Sequence, residues 1–292
     1  RRRHTIFALV SWARRCVSET RVADRFADEH QCFGLRRNPE QLPVSINPLK
    51  ADLTNSEELV GIFSQDFDVV IATLTPGART EEAYQKAYVD TATALVSSIN
   101  NAEYQPKIVI WISSTSVYGD STNQWLDEES PVNPASFSAR ALKKAEDIMT
   151  AVSCDLTIVR FSGIYGPGRL ALLSSVKSGV GRPAQPEQWS NRIHSDDCAG
   201  FLAHLVSRHQ SGEKLEKLYV GTDCEPATQH DVRKWLAGKL NVILTEETKS
   251  SRAGTQRYTN KKLLQSGYQL QYPSYREGYV SVIKSLSDDT EG

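Results

Sequence analysis

Lys107–Glu146 reads KIVIWISSTSVYGDSTNQWLDEESPVNPASFSARALKKAE, and the order of its textures decides the fold. Ile108–Ile112 is an unbroken run of large apolar residues, the pattern of a strand buried on both faces. SSTSVYGD, at Ser113–Asp120, follows at once, and an acidic loop comes next. Ser138–Val152 then carries apolar residues at helical spacing. A buried strand, a hydroxyl-rich loop at its carboxyl end and an amphipathic helix form the repeating unit of a parallel sheet covered by helices.

The same alternation extends in both directions. His4–Val10 (HTIFALV) reads as a first strand, and Arg21–Glu29 as a helix with Val22, Ala23 and Phe26 on one face. Cys32–Leu35 is a short second strand ending in Arg36 and Arg37. Pro43–Ile46 reads as a third strand before Leu49–Leu53, and Ser56–Phe63 as a helix capped by Thr54 or Asn55. Asp68–Ala72 is a further buried strand, closed by a turn at Pro76 and Gly77. Glu81–Asn100 is a long helix, and Leu156–Phe161 another strand. After Gly168 the texture changes: a loop rich in Gly, Pro and Gln (Gly179–Trp189), NRIHSDDCAGFLAHLV, a strand at Leu218–Val220 and a helix at Gln229–Leu240. The fold expected is α/β, a Rossmann-type doubly wound parallel sheet over residues 1–168. A small C-terminal substrate lobe comes mainly from 169–292, with some segments returning to the core.

Bulk properties narrow the function. The formal net charge is −1, so no general attraction to nucleic acid or to acidic membranes is implied. No apolar run approaches the roughly 20 residues that span a bilayer. Cys16, Cys32, Cys154, Cys198 and Cys224 are odd in number and without CxxC spacing, which points away from a metal site and towards a reducing cytoplasm.

SSTSVYGD after its strand, RFSGIYGPGRL at Arg160–Leu170 and NRIHSDDCAGFLAHL together resemble the extended short-chain dehydrogenase/reductases, the NAD(P)-dependent epimerase/dehydratase family. The resemblance runs from about Cys32 to Tyr279. It implies that Ser114 holds the reacting oxygen of the substrate, with Ser113 beside the cofactor. Arg192 would face a phosphate or carboxylate, with Arg169 and His194 on the same substrate side. His194 and Asp196 are expected to tie the lobes together, His194 through a structural hydrogen bond. Asp197, just before an Ala-Gly-Phe-Leu helix, reads as an N-cap. Asp52 and Leu53 would contact adenine, and Ala72, Thr73 and Leu74 would line the dinucleotide. Arg36 and Arg37 stand where NAD-selective members carry an acid, which favours NADP over NAD; a solvated basic turn is the plain alternative.

Two features depart from the family. Registered on Ala145 and Glu146, the family's catalytic Tyr falls on Ser138 and its Lys on Leu142. Shifting the register pairs Lys143 with Ala139 and Lys144 with Arg140. No Tyr occurs between Tyr118 and Tyr165, so these two are the remaining proton donors, and Tyr118 also reads as a packing aromatic. The segment after the first strand is SWARRCVSETR, and the first glycine of the chain is Gly34, where the family has a Gly-rich phosphate loop. An Arg-rich, acid-poor start also resembles an organelle-targeting peptide. The reading adopted is a reading-frame or gene-model error, or a decayed loop, within Arg1–Thr20. The expected function is that of an NAD(P)-dependent epimerase/dehydratase-like oxidoreductase that acts on or binds a nucleotide sugar or similar polar metabolite. The alternative is a non-catalytic NADP(H)- or metabolite-sensing protein, and a third reading, from the missing glycines, is a product that binds nothing. Glu81–Asn100 and Ser138–Val152 are the helices that could pair subunits in a homodimer.

Overall fold

The computed structural model describes residues 5–10, 30–119, 124–247 and 255–288. The helix expected over 21–29, the glycine-free segment before it, Cys16 and Asp120 lie outside them.

Seven strands form the main sheet: β1 (Thr5–Val10), β2 (Gln31–Arg36), β3 (Asn47–Lys50), β4 (Val69–Thr73), β5 (Ile108–Ser114), β6 (Asp155–Phe161) and β7 (Leu218–Gly221). Their spatial order is β7-β6-β5-β4-β1-β2-β3. Four neighbouring pairs, β3 with β2, β2 with β1, β1 with β4 and β4 with β5, run parallel. The order reverses between β1 and β4, the position at which open α/β sheets present ligands. Val69, Val70, Ile71 and Ala72 are almost wholly buried, as are Ile108, Val109, Ile110 and Trp111. Continuous apolar runs are what strands covered on both faces require.

Helices follow the strands. In α1 (Ser56–Phe63) the side chain of Asn55 accepts the N–H groups of Glu57 and Glu58, which makes Asn55 the cap of the two residues considered. The helix expected over 81–100 is built from Glu81–Tyr84, a wider π-helical segment Gln85–Asp90, and α2 (Thr91–Asn100). Within the π segment Tyr88 donates its hydroxyl to the carbonyl of Leu74, 3.1 Å away. Next, α3 (Phe137–Met149) is capped by Ser136, whose oxygen accepts the Ala139 N–H.

Three expectations need correction. Pro43–Ile46 is a turn, closed by the Ile46 N–H on the Pro43 carbonyl at 3.0 Å, and the strand begins only at Asn47. Leu170–Ser190, which reads in the sequence as a pocket-shaping loop without a recognisable signature, is not wholly loop: α4 (Ala171–Lys177) buries Leu173 and Val176. Asp197 is no cap, since α5 (Ser195–Gln210) starts two residues earlier and takes it inside.

The chain forms two compact units. The first holds Arg1–Gly119, Val132–Arg160 and Ala199–Tyr219, and so nearly the whole main sheet. The second holds Asp120–Pro131, Phe161–Cys198 and Val220–Gly292. Its core gathers Tyr165, Leu173, Val176, Tyr275 and Tyr279 with Val232 and Leu236 of α6 (Gln229–Leu240) and Val282 of α7 (Tyr275–Asp288).

Candidate functional site

In the first unit, β2 delivers Arg36 and Arg37 to the carboxyl edge of the sheet. The carboxylate of Asp52 stands 3.6 Å from Arg37 and 4.0 Å from Lys86, and its other oxygen accepts the N–H and hydroxyl of Thr54. Burial raises the Asp52 carboxyl, but these Thr54 bonds and the two cations outweigh it and hold it below its ordinary value. Leu53 is half-buried, Ala72 is fully buried, Thr73 is partly exposed at the end of β4, and Leu74 is buried. The structure thus brings Arg37 and Asp52 together and adds Lys86, which sequence reading did not single out. The Glu58 carboxylate accepts the Asp52 N–H at 2.8 Å, so this corner of the sheet pairs two cations, Arg37 and Lys86, with two carboxylates.

Beyond β5 the chain turns tightly through Thr115–Tyr118. Ser114 is half-buried and its oxygen accepts the Ser116 N–H at 3.2 Å. Ser113, by contrast, is buried, and its hydroxyl has no hydrogen-bond partner among the described residues. Gly119 closes the turn at φ +70, and a Cβ there would come within 1.7 Å of the Asn133 carbonyl oxygen, so only glycine fits. Tyr118 is 2% exposed and lies under the Arg160 guanidinium, 4.9 Å from its ring centroid.

On α3 lie Ser138 and Leu142, the positions onto which the sequence register puts the family's Tyr and Lys. Ser138 is partly exposed, and its hydroxyl lies 2.9 Å from that of Ser136. Leu142, one turn later, is buried in the core. Lys143 is engaged by Asp147, four residues on, and Lys144 is exposed. Glu146 is buried and holds Arg160 through two hydrogen bonds, of 2.9 and 2.6 Å. Burial opposes the charge of Arg160, and Glu146 reverses this, leaving the guanidinium above its ordinary value.

The second unit carries Tyr165, Arg169, Arg192 and His194. Strands Gly163–Tyr165 and Arg192–His194 pair in parallel, which sets His194 opposite Tyr165. Tyr165 is 4% exposed, stacks on Tyr279 at 4.5 Å and donates its hydroxyl to the Ser274 carbonyl at 3.4 Å. Burial, with Asp223 nearby, pushes its phenol well above the ordinary range. Nδ1 of His194 accepts the Asp196 N–H at 3.2 Å, a local bond within the second unit. Arg169 closes the turn at Gly166, its N–H reaching the Gly166 carbonyl at 3.0 Å. Arg192 is buried and donates to the Ser190 hydroxyl at 2.6 Å. The Asp197 carboxylate accepts the Tyr268 hydroxyl and the N–H groups of Gln271 and Tyr272 at 3.1, 2.7 and 2.9 Å.

Residues 20–221 match the NAD dependent epimerase/dehydratase family. The chain belongs to that family. An NAD-dependent epimerase/dehydratase structure from Methylobacillus flagellatus is 31% identical, with a TM-score of 0.80 over 97% of this chain and 98% of the other. The human epimerase family protein SDR39U1 (isoform 2), solved with NADPH, is 18% identical, with a TM-score of 0.77 over 96% and 99%. UDP-glucose 4-epimerase from Thermotoga maritima, solved with UDP-glucose, is 14% identical, with a TM-score of 0.79 over 98% and 99%. The last two likenesses are likenesses of fold. No curated protein matches the chain.

Family membership sharpens which residues the sequence reading missed. Arg233 on α6 is 7% exposed, buried on the same helix as Val232, Leu236 and Ala237. Asp223, at the end of β7, is 1% exposed, and burial pushes its carboxyl up to about 8. Nothing in GTDCEP marked it out. Among the described residues, no helix is long and apolar enough to cross a membrane.

Proposed function

We propose that this epimerase/dehydratase family member binds NADPH in preference to NADH, together with a nucleotide sugar or similar polar metabolite, and works without a Tyr–Lys proton relay. The observation that carries this reading is the face of α3, with Ser138 beside Ser136 and Leu142 buried where the relay would need a phenol and an ammonium. A serine hydroxyl is far too weak an acid to take the place of a phenol whose pKa, normally near about 10, is lowered by a neighbouring cation. Both remaining tyrosines are buried, Tyr118 beneath Arg160 and Tyr165 against Tyr279.

Arg36, Arg37 and Lys86 support the choice of NADPH, since guanidinium and ammonium groups favour an added phosphate. Bound nicotinamide would supply the hydride, and without a proton relay the transfer is not completed. Ser114, whose hydroxyl both donates and accepts, orients the substrate oxygen. The relatives solved with NADPH and with UDP-glucose support the two ligand classes. The reading is therefore a ligand-binding member in which ordinary turnover is lost.

Thermal melting with NADPH, NADH and a panel of nucleotide sugars tests it. A ligand that binds only the folded state, at about 100 times its Kd, stabilises by about 2.7 kcal/mol. The expected result is a larger rise with NADPH than with NADH, and no change in nicotinamide absorbance with any sugar. Steady oxidation of NADPH by one of these sugars would overturn the loss of turnover, and no rise with either dinucleotide would overturn the binding.

A further inference from the structure

Trp125, Trp189 and Arg257 come from three separated segments of the second unit and meet in one stack. The guanidinium carbon of Arg257 lies 5.1 Å from the Trp125 ring centroid and 4.8 Å from that of Trp189, so two indoles share one cation. Elsewhere among the described residues the pairing is simpler: Arg160 stands over Tyr118, Lys239 over Trp235 and Arg276 over Tyr275.

Short paired strands carry the rings. Trp125–Leu126 runs parallel to Arg257–Tyr258, with Trp125 in register with Arg257, and the Arg257 N–H reaches the Gln124 carbonyl at 3.0 Å. Trp189–Ser190 pairs antiparallel with Ala227–Thr228. The side chain of Asn191 ties this second support to the first, donating to the Gln256 carbonyl at 3.0 Å and accepting the Tyr258 N–H at 2.9 Å. Backbone therefore fixes the origin of both indoles, while the Arg257 side chain can rotate without breaking a strand.

Core packing does not account for the arrangement. Trp125 is 55% exposed, so much of its ring adds nothing to the interior. One exposed indole is ordinary; two gathered around a single cation are not. Aromatic faces are negative, so a cation near two of them is attracted from both sides. Nε1 of Trp189 donates to the exposed carboxylate of Glu187 at 3.2 Å, which sets a negative charge at the rim of the same slot. Rings and carboxylate together repel an anion and favour an organic cation, the class of group already seated there. The seated group is held lightly, since one such contact at an exposed site shifts an equilibrium by about two- to fivefold.

We propose that Trp125, Trp189 and Glu187 form a cage for an organic cation of the quaternary ammonium or guanidinium class, and that Arg257 is its resting occupant, displaced when the ligand enters. The cage is independent of the NADPH and nucleotide-sugar reading, and either can fail without the other.

Tetramethylammonium chloride is the probe, with tert-butanol as a neutral molecule of similar shape. Saturation-transfer NMR on the methyl protons of each probe is read against concentration for the full chain, with sodium chloride holding ionic strength constant. The proteins are wild type, Arg257→Ala, Trp125→Leu and Glu187→Gln. Wild type is expected to saturate with tetramethylammonium. Arg257→Ala should bind it about two- to fivefold more tightly, because the competing cation is gone. Glu187→Gln should bind it at least about twofold more weakly, and Trp125→Leu should lose it. No saturation in wild type, weaker binding in Arg257→Ala, unchanged binding in Trp125→Leu, or equal binding of tert-butanol overturns the proposal. Trp125→Leu and Glu187→Gln change exposed side chains, so they decide the matter if Arg257→Ala does not fold.

Discussion

Glu146 and Arg160 meet in a buried, two-pronged ion pair, with Nε to Oε1 at 2.9 Å and Nη2 to Oε2 at 2.6 Å. The pair joins α3 to β6, and its guanidinium covers the Tyr118 ring. Arg160 is therefore held from two sides, by charge and by an aromatic face, and Tyr118 is held with it. This gives Tyr118 a packing role on the edge of the sheet.

Removing one partner leaves the other charged and away from water, which costs about 3–5 kcal/mol in comparable buried pairs. Glu146→Gln and Arg160→Met should each lower the unfolding free energy, measured by urea denaturation, by that order. The double variant Glu146→Leu with Arg160→Met should recover much of the loss, because no orphaned charge remains. Additive losses in the double variant would show that the pair is not coupled.

Leu142 is 5% exposed, so reinstating a lysine there sets an ammonium into the apolar core. Leu142→Lys should destabilise by at least about 2 kcal/mol unless the new lysine neutralises itself. Ser138→Tyr, on the partly exposed side of α3, should be tolerated. Melting curves of the two single variants decide this. An unchanged melting point for Leu142→Lys would mean that the α3 face opens onto a polar site and that the relay position is not core.

The fold was legible because buried parallel strands write themselves as apolar runs: DVVIA and IVIWI predict β4 and β5 almost to the residue, and Ser56–Phe63 and Gln229–Leu240 predict their helices. Pro43–Ile46 failed because a β-branched pair after proline reads as strand while the proline itself starts a turn. The helix at Ala171–Lys177 was hidden by its shortness and by the Gly- and Pro-rich residues around it. Of the candidate site, the sequence motifs placed Ser114 at the carboxyl end of its strand and Arg192 at the start of its own, and the structure has both there. Glu146, Asp223 and Arg233 were not legible, because they take their meaning from partners distant in sequence: Arg160 for Glu146, and Ser175 and the Val180 carbonyl for Arg233.

Asp197 illustrates the same dependence. Its carboxylate gathers the Tyr268 hydroxyl and two backbone N–H groups, of Gln271 and Tyr272, and so fixes the segment that leads into α7. Hydrogen bonds to a charged acceptor contribute about 1.5–3 kcal/mol each. Asp197→Asn keeps the shape, removes the charge and presents an N–H₂ to donors, so it should destabilise by at least one such bond. Hydrogen exchange should rise at the amides of Gln271 and Tyr272 before it rises in the main sheet. Equal protection in variant and wild type would show that the carboxylate does not hold this segment.

Asp223 gives the protein a pH dependence of definite sign. Burial raises its carboxyl from the ordinary 3.8 to about 8 in the folded chain, against the opposing pull of the Glu225 N–H and Arg192. Below the ordinary value both states are protonated, and the stabilisation of the neutral acid by the fold is fully present. Between these two values unfolding releases a proton, so stability falls as pH rises, by up to about 1.4 kcal/mol per pH unit, and the fall ends once the folded carboxyl has itself ionised. Asp223→Asn cannot ionise and should lose this slope, so the gap between variant and wild type should widen in the variant's favour from pH 5 to pH 8. Urea midpoints measured across that range test it, and parallel curves for the two proteins would show that Asp223 is ionised in the folded state throughout.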